Sequence, residues 1–248
     1  MIRKAVIAVL AVAAVGVVAL SFDAGHLAPF VKTLNSAEGL DVSYTVQEVG
    51  RTSASYHVTL AKPDLAMIDT PAKTFYADGE TITTYDKKRN KYFTKEQTHE
   101  ALTGLFDDDD LAIWRSFFDS KAMDRIYSSK NEGTKKRRGE TLRVISAVVN
   151  RNGDSSFTLY IGESDGLLKQ AQFTSTATGS SSTKILNTKS INTKAVASAT
   201  FAFTAPEGAE EMTVADLSSS EWITEFDVAL ENAAALGKGV IIDFYADW

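Results

Sequence analysis

Alternation of apolar and polar residues is the feature that most constrains the fold of this chain. Val42, Tyr44 and Val46 alternate with polar residues, and Tyr56 and Val58 repeat the pattern after a short gap. Successive side chains of a strand point to opposite faces of a sheet, so a period of two places one set on a single face. The alternation recurs as far as residue 203. The sequence therefore predicts a mainly β, antiparallel domain.

Turn-forming residues separate the alternating stretches. Asp78-Gly79 and Asp165-Gly166 are strong hairpin signals, and Asn152-Gly153-Asp154 and the residues 50–53 have similar composition. Short connections of this kind join strands that are neighbours in a sheet. The strands predicted in this way are residues 42–48, 56–60, 65–69, 74–77, 81–85, 91–94, 142–149, 156–161, 167–175 and 183–191.

A helical stretch interrupts the strands between residues 102 and 118. Its apolar residues recur at helical rather than alternating spacing, and they include Trp114, Phe117 and Phe118. Asp107–Asp110 lies inside the stretch, where an aspartate is expected to cap the helix that follows. An apolar load of this size must pack against another element. We therefore predict that the insert plugs the concave face of the sheet.

The N-terminal residues have the layout of an export signal. Arg3 and Lys4 precede an unbroken apolar run from Ala5 to Leu20. Cleavage after Ser21 would make residues 1–21 a signal peptide, and an uncleaved N-terminal anchor is the alternative. Either reading predicts that the protein is exported to the periplasm or cell envelope.

Composition excludes several functions. The formal charge of −6 argues against a nucleic-acid partner, which usually requires a basic surface. The sequence has no cysteine, no spacing typical of a metal site and no nucleophile triad or phosphate-binding loop. We therefore predict no metal, no cofactor and no catalytic residue in the chain as given, and a hydrolase is a distant alternative.

Three short motifs resemble the outer-membrane lipoprotein carrier superfamily, the LolA/LolB-like proteins. They are Lys62-Pro63-Asp64, the run from Asp78-Gly79-Glu80-Thr81 to Tyr85-Asp86, and Phe201-Ala202-Phe203 followed by Pro206–Ala209. The resemblance covers residues 30–212. It implies a curved, incompletely closed antiparallel half-barrel with helices on its concave side, and a cavity for acyl chains or other apolar ligands. The residues expected to line that cavity are Met67, Phe75, Tyr85, Tyr92, Phe93, Trp114, Phe117 and Phe118.

The C-terminal residues change character. Residues 213–220 read as an acidic, Ser-rich linker, residues 222–236 have helical spacing, and residues 240–245 form an apolar run typical of a buried strand. The run ending in Asp-Phe-Tyr-Ala-Asp-Trp resembles the start of a thioredoxin-like domain over residues 221–248. The resemblance implies that Asp243 is a buried acidic residue and that Trp248 precedes a redox Cys-x-x-Cys pair. No such pair is present up to Trp248, so the chain as given is predicted to be redox-inactive.

These readings give two functional hypotheses. In the first, an exported LolA-like domain binds an apolar ligand or a partner and is fused to a thioredoxin-like domain that is cut off at Trp248. The full-length protein would then be a thiol–disulfide oxidoreductase that acts on a redox partner protein. In the second, the protein is a carrier or sensor of a lipid, acyl chain or lipoprotein with no redox role.

Overall fold

The computed structural model describes residues 25–48, 50–124, 126–176, 181–212, 225–236 and 240. The predicted signal segment, the 213–220 linker and the predicted strand at 240–245, apart from Val240, lie outside these residues. Asp243 and Trp248 lie outside them as well. The predicted helix near the C-terminus is confirmed between Phe226 and Leu236.

The described residues form one open, curved sheet of twelve strands, with the helical residues 28–35 and 99–117 packed on one side. This confirms the predicted fold class. The strands are β1 (Gly39–Glu48), β2 (Ala54–Ala61), β3 (Leu65–Asp69), β4 (Lys73–Ala77), β5 (Thr81–Asp86), β6 (Lys91–Glu96), β7 (Ser128–Arg137), β8 (Glu140–Val148), β9 (Ser155–Gly162), β10 (Leu168–Ser175), β11 (Ser182–Asn192) and β12 (Glu210–Glu211). The helices are α1 (Ala28–Asn35), α2 (His99–Gly104) and α3 (Phe226–Leu236), with two 3₁₀ helices at Ala112–Phe117 and Ser198–Phe201.

The strand order is β12-β6-β5-β4-β3-β2-β1-β11-β10-β9-β8-β7. Hairpins build each half of the sheet, and the pairing of β1 with β11 joins the halves. The predicted Asp78-Gly79 hairpin is confirmed: Gly79 has a φ of 100°, and Asp78 Oδ1 accepts hydrogen bonds from the backbone N–H groups of Glu80 and Thr81. The local turn chemistry therefore sets the register of β4 against β5.

The two faces of the sheet follow from its registers. Leu40, Val42 and Tyr44 of β1 point to the face that α1 and the 3₁₀ helix at 112–117 cover, which we call the inner face. Residues of β1 with odd numbers, including Gly39, point to the outer face. One hydrophobic core extends over the inner face from Ile82 on β5 to Ile145 on β8. The helices therefore cover a single continuous apolar surface.

The insert between β6 and β7, which we call the plug (residues 99–118), packs on the inner face as predicted. Thr98 caps α2 by accepting a hydrogen bond from the backbone N–H of Ala101. The 3₁₀ helix begins after Leu111 without a side-chain cap, and the predicted aspartate contact lies in the preceding turn, where Asp108 Oδ1 accepts a hydrogen bond from the backbone N–H of Asp110. Asp110 makes contacts with the sheet instead, because Tyr56 and Lys184 lie within reach of its carboxylate.

The chain after β11 crosses the outer face. This strap (residues 193–212) passes over Gly39, buries Phe201, and places the Phe203 ring 5.4 Å from that of Tyr76 and 4.9 Å from that of Tyr92. It ends as β12, which pairs in parallel with β6. The strap therefore covers the outer face of β1–β6 and also protects one edge of the sheet.

The opposite edge of the sheet is β7, and it is exposed along almost its whole length. The predicted strand set omits β7, since it lacks apolar alternation. The basic run Lys135–Arg138 forms the end of β7 and its turn into β8, where Arg138 and Gly139 both have positive φ.

Candidate functional site

The plug buries a large apolar surface against the sheet. Trp114 and Phe117 are fully buried, and Phe118 is half-buried beside Phe106 and Phe117, with ring centroids 6.0 Å and 5.0 Å away. Trp114 lies against Tyr44, at 5.6 Å between ring centroids. The side of the plug that faces the sheet is therefore almost wholly aromatic and aliphatic.

The structure brings together only some of the residues expected to line one cavity. Phe75 joins Trp114, Phe117 and Phe118 around the inner-face core. Phe93 is also on the inner face, since it pairs with Thr84, which itself pairs with Phe75.

The strand registers place the other three expected residues elsewhere. Met67, Tyr85 and Tyr92 point to the outer face, because they alternate with Ile68, Thr84 and Phe93. The expectation that all eight residues share one surface is corrected accordingly. All eight residues are large and mainly apolar, but the face that each strand residue occupies depends on the register of its strand against its neighbours.

Polar contacts hold the plug to the sheet at its two ends. At the first, the backbone carbonyl of Asp110 accepts a hydrogen bond from the Tyr44 hydroxyl at 2.9 Å. The Asp110 carboxylate accepts one from the Tyr56 hydroxyl at 2.8 Å, and its other oxygen lies 3.0 Å from Lys184 Nζ. Tyr44 and Tyr56 stack at 5.2 Å with nearly parallel rings. Three side chains from neighbouring strands therefore converge on one plug residue.

The second attachment is at Phe117. Its backbone carbonyl accepts hydrogen bonds from Lys62 Nζ and from Asn35 Nδ2, the latter at 3.3 Å. Lys62 Nζ also lies over the Phe117 ring, 4.6 Å from its centroid, a distance typical of a cation–π contact. Burial lowers the pKa of the Lys62 ammonium, which marks this end of the plug as partly shielded from water.

Sequence reasoning missed Asp110, Lys184 and Lys62. Lys184 carried a usable signal, because it is in phase with Leu186 on β11 and therefore points inward with it. Tyr44 and Tyr56 were placed on strands, and their pairing across the β1–β2 hairpin could have been predicted from the turn position. Asp110 had no such signal, since the conformation of residues 107–110 depends on tertiary contacts.

The buried tyrosines predict a loss of stability at alkaline pH. Burial raises the pKa of the Tyr44 hydroxyl well above its ordinary value. Above about pH 10 the unfolded chain ionises this tyrosine and the folded chain does not, so stability is complete below that pH and falls as the pH rises. We expect a slope of up to about 1.4 kcal/mol per pH unit from Tyr44, measured by urea denaturation between pH 9 and 12.

The variant Tyr44→Phe should have a shallower slope, whereas Thr45→Val, which changes a non-ionisable residue on the outer face of the same strand, should keep the wild-type slope. An unchanged slope in Tyr44→Phe would contradict the prediction.

Comparison with known proteins identifies the family. The sequence matches the family model described as "Predicted periplasmic protein (DUF2092)" over residues 34–215, more than half of the chain. The chain belongs to the DUF2092 family. This description agrees with the predicted export, and the DUF2092 protein is periplasmic. No curated protein matches it in sequence.

Solved structures similar to this DUF2092 protein share little sequence with it. An uncharacterized conserved protein from Thermus thermophilus is 10% identical with a TM-score of 0.47, and the match covers 75% of this chain and 96% of that one. LprF from Mycobacterium bovis is 12% identical with a TM-score of 0.41, covering 74% and 95%. The lipoprotein LppX from Mycobacterium tuberculosis is 14% identical with a TM-score of 0.38, covering 67% and 94%.

Two further findings concern only the described part of this DUF2092 protein. None of its helices there has the length and apolar character needed to cross a membrane. Its described His, Asp and Glu residues include no group of three or more positioned to hold a metal ion.

Proposed function

We propose that this protein is a periplasmic carrier or sensor of an apolar ligand, such as the acyl chain of a lipid or lipoprotein. The ligand would lie between the inner face of the sheet and the plug. The observation that carries the proposal is the construction of the plug: its apolar side chains fill the inner face, while side-chain contacts at Asp110 and Phe117 attach it to the sheet.

This construction allows the plug to move without breaking the sheet. The backbone hydrogen bonds within residues 99–118 are local ones, such as Leu105 to Leu102 and Trp114 to Leu111. Lifting the plug therefore leaves the strand ladders intact. It breaks the polar contacts at Asp110 and Phe117 and the apolar contact with the inner face.

A bound ligand would restore apolar contact that the sheet loses when the plug lifts. An acyl chain that replaces Trp114 or Phe117 on the sheet substitutes one apolar contact for another. Apolar burial contributes roughly 25 cal/mol per Å² whichever group supplies it. The sheet can therefore accept a ligand with little net loss of buried apolar area, provided that the plug's own apolar side chains find cover.

A fluorescent fatty-acid analogue tests the proposal with the protein purified from the periplasm. We expect saturable binding, and we expect Phe75→Ala to weaken it by about tenfold, because a half-buried aromatic ring of the sheet's own inner face is lost. The control Tyr85→Ala removes an aromatic ring from the outer face and should leave the affinity unchanged.

Absence of saturable binding would overturn the proposal, and so would an equal effect of the two substitutions. Mass spectrometry of an organic extract of the same preparation would show whether an acylated molecule is carried from the cell. A lipid and a lipoprotein differ in mass, so the extract also separates these two ligand classes.

The redox hypothesis rests on narrower support. The helix Phe226–Leu236 is present where the thioredoxin-like reading places it. The family match ends at residue 215, and no comparison gives support to a thioredoxin-like domain. Reading the coding DNA beyond Trp248 tests this hypothesis: a Cys-x-x-Cys pair directly after it is expected if the oxidoreductase reading is correct, and a stop codon there would end it.

A further inference from the structure

The Asp110 carboxylate lies in a polar site that the sheet builds on its otherwise apolar inner face. Tyr56 donates to one carboxylate oxygen, and the Lys184 ammonium lies beside the other. The Asp110 side chain is only 12% exposed, so water contributes little to its solvation. These groups come from β2 and β11, on either side of β1, which carries Tyr44.

Burying a carboxylate is unfavourable unless charged and hydrogen-bonding partners compensate for the lost water. Here the sheet supplies both kinds of partner. Burial alone would lower the pKa of Lys184, but the hydrogen bond and charge of Asp110, with the nearby charges of Asp108 and Asp109, outweigh burial and raise it. Lys184 is therefore protonated, and its positive charge on the inner face of the sheet can pair with an anion.

A further polar group on this face is left unused. Thr188 Oγ1 is buried and has no hydrogen-bond partner among the described residues. Thr188 pairs with Tyr44 across β1 and β11, so it points to the same face as Lys184. Buried polar groups without a partner are rare in native proteins, and each requires an explanation such as a bound water, an ion or a functional role.

We propose that this site binds the carboxylate headgroup of a fatty acid, and that Asp110 occupies it while no ligand is bound. The inference rests on the proposed function and names the ligand class for the same inner face. Tyr56 and Lys184 recognise the headgroup, and the acyl chain lies along the apolar surface that Trp114 and Phe117 now cover.

Two anions cannot share the site, because like charges in a partly buried position repel strongly. A fatty acid that enters therefore displaces the Asp110 side chain. Since Asp110 belongs to the plug, headgroup binding is coupled to release of the plug from the sheet. A ligand without a negative charge lacks this advantage over Asp110.

The affinities of a fatty acid and of the fatty alcohol with the same chain, measured on wild type and variants, test this inference. Asp110→Asn keeps the size of the side chain and removes the competing charge, so it should raise the affinity for the acid by about tenfold and leave that for the alcohol nearly unchanged. The control Glu100→Gln removes an equal charge from an exposed position of the plug and should alter neither affinity. Lys184→Met should lower the affinity for the acid by about tenfold and spare the alcohol.

Each other outcome is decisive. An equal rise for acid and alcohol in Asp110→Asn would mean that Asp110 only fastens the plug, and it would overturn the inference. Equal affinities for the two ligands in every variant would also overturn it, while the proposed function would stand. If wild type and Asp110→Asn bind neither ligand, both fail. Tyr56→Phe removes a single hydroxyl, and a selective loss of acid binding in this variant would support the site even if Lys184→Met does not fold.

Discussion

Replacing Trp114 by alanine is expected to lower the free energy of unfolding by about 3–5 kcal/mol. Trp114 is fully buried and lies at the centre of the contact between the plug and the sheet, against Tyr44. Removing the indole loses its apolar burial and leaves a cavity that the strands around it cannot close, because backbone ladders fix their spacing.

Urea denaturation followed by far-UV circular dichroism measures this effect. Phe226→Ala serves as the control: Phe226 is 53% exposed, and its removal should change the free energy of unfolding by no more than about 0.5 kcal/mol. Trp114→Phe should fall between wild type and Trp114→Ala, because it keeps an aromatic ring and leaves a smaller cavity. A loss below about 1 kcal/mol in Trp114→Ala would show that the plug is not part of the core.

Replacing Gly39 by alanine is expected to cost about 1–3 kcal/mol through overpacking. A Cβ atom at this position would lie 2.4 Å from the backbone carbonyl oxygen of Lys194 and 3.1 Å from a methyl carbon of Val196. Both residues belong to the strap. The clash involves backbone, so a change of rotamer cannot relieve it and the strap must shift away from β1.

A glycine in the plug provides the matched comparison. Gly104 ends α2, and a Cβ atom there would come no closer than 3.8 Å to any neighbour, at Asp107 Oδ2. Gly104→Ala should therefore leave the free energy of unfolding unchanged or raise it slightly, as alanine favours helices. If the two variants had the same stability in urea, the close passage of the strap over Gly39 would be in doubt.

The strands were predictable because alternation and turn chemistry are local. Each predicted strand corresponds to an observed one, and the Asp78-Gly79 hairpin formed where the sequence placed it. The missed strand, β7, shows the limit of this signal. It is an exposed edge strand with polar residues on both faces, so it has no apolar alternation to detect.

The candidate site was only partly predictable, and the reason is again physical. The apolar side chains of the plug must be buried. The insert that carries Trp114, Phe117 and Phe118 could therefore be placed on the concave face of the sheet from the sequence. The faces of Met67, Tyr85 and Tyr92 depend on registers fixed across several hairpins. The role of Asp110 depends on two strands far from it in sequence, and local pattern carries no information about such contacts.

The two edges of the sheet differ in a way that bears on how copies of the protein meet. An uncovered strand offers free backbone donors and acceptors to any other strand, which is the usual route to fibrous aggregation. At β6 the strap satisfies part of that edge through β12. At β7 the side chains of Lys130, Lys135, Lys136 and Arg137 stand along the exposed strand. Two molecules that approach through this edge bring like charges together. The repulsion opposes pairing of β7 with the same strand of a second periplasmic molecule. Salt screens the repulsion and so weakens this protection.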